Sequence, residues 1–203
     1  MTNRIRIATT ATTLLGLAAL AHGQAALNGV NIIVEDTTLA PGESTTIRME
    51  AYFDPALYCM GGIATSLVSS AGSVGLSDLR LLAPMDGPGT TAGARSGTGV
   101  DGIISGQLHG FIGAGIYGDT TNPMPFWEAT YTAPPTTTDP LTIDFLTETT
   151  RFDVYLVRDS ARSESRLDVM HEGFAQINIV PAPAGALVLA GLALPALRRQ
   201  RNR

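Results

Sequence analysis

The chain has 203 residues, 44% apolar, 15% charged and 6% aromatic, with one cysteine and a formal net charge of -5. So few charges and a single Cys exclude a disulfide scaffold, a collagen-like chain and a charge-driven disordered one, and the apolar fraction is too low for a polytopic membrane protein. No nucleic-acid partner is expected, because basic patches are what dock phosphates.

The placement of the charges says more than their sum. All 13 basic residues are arginines, and six lie at the two ends: Arg4, Arg6, Arg198, Arg199, Arg201 and Arg203. Between Glu35 and Glu172 stand all 18 acids against 7 Arg, a net charge of -11 for the body. Such a body stays soluble by self-repulsion, and its acids read first as a solvated surface, with cation binding as the alternative.

Residues 1–25 read as a secretory signal peptide. Arg4 and Arg6 form a positive start, an apolar run follows through Leu14, Leu15, Leu17 and Leu20, and small residues then permit cleavage after Ala25 or Gly23. Ile5 separates the two arginines, which excludes a twin-arginine signal, and the cleavage point has no Cys to take a lipid. The alternative is an uncleaved N-terminal helix.

The body, 26–179, reads as strands and turns, an all-β fold of about eight or nine strands in a single β-sandwich or jelly roll. Val30 to Val34 opens it. From Ser44 to Phe53, Ile47, Met49, Ala51 and Phe53 alternate with Thr46, Arg48, Glu50 and Tyr52, the period of two that puts one face of a strand in a core. Weaker patterns cover Ile63 to Val68, Val74 to Leu82 and Val100 to Leu108. In Phe126 to Thr132, Trp127, Ala129 and Tyr131 share a face. Two separate strands follow, one carrying Leu141, Ile143 and Phe145, the other Phe152, Val154 and Leu156. Ala175, Ile177 and Ile179 then alternate with Gln176 and Asn178. Turn signals stand between these runs, at Ala40-Pro41-Gly42, Asp86-Gly87-Pro88-Gly89, Asn122-Pro123 and Ala133-Pro134-Pro135. The Gly/Thr-rich stretch from Asp86 to Gly99 reads as a mobile loop, and Asp159 to Asp168 as a polar hairpin or loop.

The opening Val-Glu-Asp-x-x-Leu-x-Pro-Gly-Glu-Ser (Val34 to Ser44), the strand spacing and the late Phe-Asp-Val-Tyr strand resemble cohesin-like β-sandwiches. The resemblance implies a protein- or surface-binding module; it transfers no dockerin contact residue by residue.

Chemical motifs are sparse. No serine has Gly at both -2 and +2, the chain has no lysine for a phosphate loop, and His171-Glu172 lacks a second His four residues after the first. His109 and His171 read as surface or edge-strand residues, and Cys59 as a buried small hydrophobe or a site of intermolecular pairing. No cofactor is expected; calcium is the one candidate, with Asp86, Asp101, Asp119 and Asn122 in Gly-rich loops as its ligands. Trp127 reads as a core residue, while an exposed Trp127–Tyr131 pair would instead form a sugar-stacking platform. The chain is therefore expected to be non-catalytic, with a carbohydrate-binding module on extracellular polysaccharide as the alternative.

Residues 180–203 form a three-part tail. Val180-Pro181-Ala182-Pro183 leads into an apolar run to Leu197, and Arg198, Arg199, Arg201 and Arg203 close the chain. The run from Ala184 to Leu197 spans about 21 Å as a helix, short of the ~30 Å of a bilayer core, and the arginines hold its end at the cytoplasmic face. This order resembles the PEP-CTERM sorting tail of exported Gram-negative bacterial proteins, with Pro-Ala-Pro in place of the usual Pro-Glu-Pro. The resemblance implies export through the translocon, transient residence in the inner membrane and removal of the tail by an exosortase-type membrane protease. Delivery to the cell surface or extracellular matrix follows, where a polysaccharide or surface protein is the expected partner. A permanent single-pass anchor is the alternative.

Overall fold

A computed structural model describes residues 28–106, 120–156 and 159–181. The expected signal helix and tail helix lie outside these residues, as do His109, Asp119, Ala182, Pro183 and the four terminal arginines. In chain order the strands are β1 (Asn28–Val34), β2 (Thr38–Leu39), β3 (Ser44–Tyr52), β4 (Tyr58–Ser69), β5 (Leu76–Leu81), β6 (Ala94–Arg95), β7 (Gly99–Gly106), β8 (Met124–Thr132), β9 (Leu141–Leu156), β10 (Asp159–Ser165), β11 (Met170–His171) and β12 (Phe174–Ile179). Three of these are two-residue strands; the other nine have six residues or more. They form a five-stranded sheet, ordered β11-β1-β3-β8-β5, and a seven-stranded sheet, ordered β2-β12-β9-β4-β7-β6 with β10 beside β9. The two sheets share one apolar core, so the fold is the all-β sandwich expected from the sequence.

Alternation drives the sheets together. In β3, Ile47, Met49 and Ala51 are fully buried while Arg48, Glu50 and Tyr52 stand half out, as the period of two dictates. In β8 the ladder to β3 shifts between Met49 and Glu50; this bulge lets Phe126 join Trp127 inside. Tyr131 of β8 meets Phe145 of β9 edge to face at 5.6 Å, a contact that ties one sheet to the other. Each such side chain contributes about 1.5–3 kcal/mol by leaving water. At the start of β7, Gly99 has φ 147° and lies so close to β4 that an added Cβ would stand 1.9 Å from the Leu67 carbonyl oxygen.

Two sequence expectations change. The two strands read over 141–145 and 152–156 are one sixteen-residue strand, β9. The polar stretch between them is held in the ladder: Thr147 is fully buried, and both threonine hydroxyls at 147 and 149 donate to Glu172 Oε2, at 2.5 and 2.9 Å. The Thr149 N–H donates to Glu172 Oε1 at 2.7 Å, so this carboxylate fills the space along β9 between β12 and β10. The stretch 86–99 is tied down, contrary to its reading as a mobile loop. Thr91 and Ile104 exchange backbone hydrogen bonds, β6 pairs with β7, and the Arg95 guanidinium donates to the Leu76 carbonyl. The polar segment after β9, read as a hairpin or loop, takes the hairpin form: β10 pairs antiparallel with β9.

Removing the Glu172 carboxylate strips three hydrogen bonds from β9. Glu172→Ala is therefore expected to destabilise the fold by about 1–2 kcal/mol, lowering Tm by about 2–8 °C. Amide exchange at Thr149 should accelerate in the same variant; unchanged protection there would contradict this role.

Candidate functional site

Trp127 and Tyr131 belong to the core. They are 0% and 1% exposed, and the Trp127 indole N–H donates to the Ala92 carbonyl at 2.9 Å. A stacking platform needs open ring faces, so the structure corrects the sugar-platform reading at these two residues. The Asn122 amide of the calcium reading brackets the Phe53 backbone, accepting from its N–H at 3.1 Å and donating to its carbonyl at 2.7 Å. Among the described residues no three His, Cys, Asp or Glu side chains group as metal ligands. Cys59 is buried, with its thiol 3.6 Å from the Tyr155 carbonyl. Val180 and Pro181 follow β12 at its tail end, where the Val180 N–H donates to the Leu39 carbonyl at 2.9 Å.

The surface that stands out is the outer face of the seven-stranded sheet. Residues opposite each other on neighbouring strands point the same way, and the register brings Phe174 of β12, Leu146 of β9 and Val68 of β4 into one row. Phe174 is 58% exposed and Leu146 41%. Farther along, Ala64 stands between Arg151 and Ile104, the latter 41% exposed. Polar pairs edge the Phe174 row: Gln176 donates to Asp144 at 2.8 Å, and Thr142 donates to Asn178 at 3.0 Å. Gly62 and Gly106, paired between β4 and β7, add no side chains to this face. The result is a sheet surface with an apolar row and hydrogen-bonded polar flanks.

Sequence reading missed this row, although its phase carries the signal. Phe174 falls in step with Gln176 and Asn178, against Ala175, Ile177 and Ile179; Leu146 falls out of step with Ile143 and Phe145. An apolar residue on the polar phase of a strand is one the core does not use.

No family model and no curated protein matches the chain. Among solved structures it is similar to the seventh ScaB type I cohesin from Pseudobacteroides cellulosolvens, with a TM-score of 0.54, 14% identity, and coverage of 77% of this chain and 96% of that one. It also overlaps a type I cohesin–dockerin complex from Clostridium thermocellum, with a TM-score of 0.42, 13% identity, and coverage of 75% and 100%. The first likeness shows the fold: a cohesin-like β-sandwich.

Burial raises the phenol pKa of both Tyr52 and Tyr131 above the ordinary 10.0. The folded state thus holds these protons more tightly than the unfolded chain. Their contribution is complete below pH ~10 and is lost as pH rises through the higher native values. Denaturant titrations should show stability falling above pH 10, and less steeply in Tyr52→Phe. Trp127, the one tryptophan, should emit as a buried indole; saturating oligosaccharide should leave its spectrum unmoved, and a shift would restore the platform.

Proposed function

We propose that this chain is an exported, non-catalytic protein-binding module of the cell envelope or extracellular matrix, directed there by its C-terminal tail. The observation that carries the binding half is the outward row in which exposed Phe174 and Leu146 stand beside half-buried Val68 on a hydrogen-bonded sheet face. Apolar side chains held open to water on a preformed surface lower the ordering cost of binding, because the sheet does not rearrange. The cohesin-like fold supports the same reading. The acidic body favours a partner that presents neutral or basic groups around an apolar centre.

Delivery rests on the two ends of the chain. The N-terminal signal pattern supports export, and the three-part tail supports recognition by an exosortase-type protease, with transient inner-membrane residence before release to the surface.

Charging the row tests the binding half. Leu146→Asp with Phe174→Asp is expected to leave Tm within a few degrees, since both side chains are exposed, and to abolish cross-linking to partner protein in native envelopes. Mutating apolar interface centres typically costs about 2 kcal/mol or more, roughly thirtyfold in affinity. A cross-linked product equally abundant in the wild type and the double variant would contradict the assignment of this face.

A further inference from the structure

The tail motif does not begin beyond the folded domain; it begins inside it. Strand β12 pairs in parallel with β2, Asn178 opposite Thr38 and Ile179 opposite Leu39. The pairing continues past the strand, because the Val180 N–H donates to the Leu39 carbonyl at 2.9 Å, as the Asn178 N–H does to the Thr37 carbonyl at 2.8 Å. Pro181 is half-buried. Leu39 and Ile179 are both core residues, so the pair is anchored from within. The turn after β2 is fixed as well: Glu43 accepts from the Ala40 N–H at 2.8 Å, and the Gly42 N–H donates to the Pro134 carbonyl at 3.0 Å.

A peptidase reads its substrate as an extended strand and needs the backbone hydrogen-bonding groups of several consecutive residues. Val180, the first residue of the motif, already spends its N–H on β2 although its side chain is 47% exposed, and Pro181 beside it is half-buried. We infer that the β2–β12 pair withholds the start of the motif, so that tail processing requires the pair to open. The inference rests on the reading of 180–203 as a sorting signal. A two-residue strand at the end of a sheet is the kind of element that opens locally without global unfolding, so the pair would act as a latch. Tail removal would then report the state of the folded domain: a chain whose β2 is loose is processed early, and a tightly closed one waits.

The latch can be fixed and loosened in the full-length chain expressed in its native host. Thr38 and Asn178 are exposed cross-strand partners, at a separation suited to a disulfide. Cleaved and uncleaved chains are then counted by mass spectrometry. Oxidised Thr38→Cys/Asn178→Cys is expected to be processed about tenfold more slowly than either single variant, and Leu39→Ala, which removes the internal anchor, faster than wild type. Equal rates in the locked and single variants, or no acceleration in Leu39→Ala, would overturn the latch and leave the sorting reading intact. An uncleaved wild-type tail would overturn the sorting reading, and the latch with it.

Discussion

Strand β4 pairs with β9 from Tyr58 opposite Leu156 to Ser69 opposite Phe145, and most of the seven-stranded sheet is built outward from that ladder. β7 adds to the far side of β4; β12 and β10 share the far side of β9. One face of the ladder supplies Ile63, Leu67, Phe145, Phe152 and Val154 to the core; the other carries exposed Leu146 and half-buried Val68. Core and candidate binding face are thus two sides of the same hydrogen-bonded strands. A change that slipped the register by one residue would exchange them. The long ladder keeps that register in spite of two bulges, and Glu172 holds the polar middle of β9 in line.

In the proposed function such a surface would bind by being already in place. The row of Phe174, Leu146 and Val68 has a sheet behind it whose inner side chains are packed, so its geometry is set before any partner arrives. Beside the row, Asp144 accepts from the neutral Gln176 amide, and farther along Arg151 pairs with Asp153. The net negative body then acts at longer range, on solubility and on partner choice.

Strand periodicity made much of the fold legible. β3, β8 and β12 announce themselves because their core residues fall on every second position. β9 is harder, because Thr147-Glu148-Thr149-Thr150 has the polarity of a turn. What holds it in a sheet is a carboxylate 23 residues from Thr149, and no local pattern encodes that distance. The 86–99 stretch fails as a loop prediction for a similar reason: it looks unconstrained until Ile104 pairs with Thr91, the Trp127 indole donates to the Ala92 carbonyl and Arg95 donates to the Leu76 carbonyl. At the candidate site, periodicity identifies Trp127 as a core residue, while the functional alternative for it rested on residue type alone. The outward row was readable only as an exception to the alternation that found the strands.

The proposed route to the envelope joins an end-of-chain signal to a domain whose last strand runs straight into it. Terminal peptide mapping of the protein recovered from the native envelope and medium tests this most directly. Chains beginning near Ala26 or Gln24 and ending close to Pro183 are the predicted result, and they would mark a processed, surface-delivered sandwich. Peptides spanning Leu192 to Arg198 retained in the membrane fraction would contradict the account, and the protein would be a permanently anchored domain.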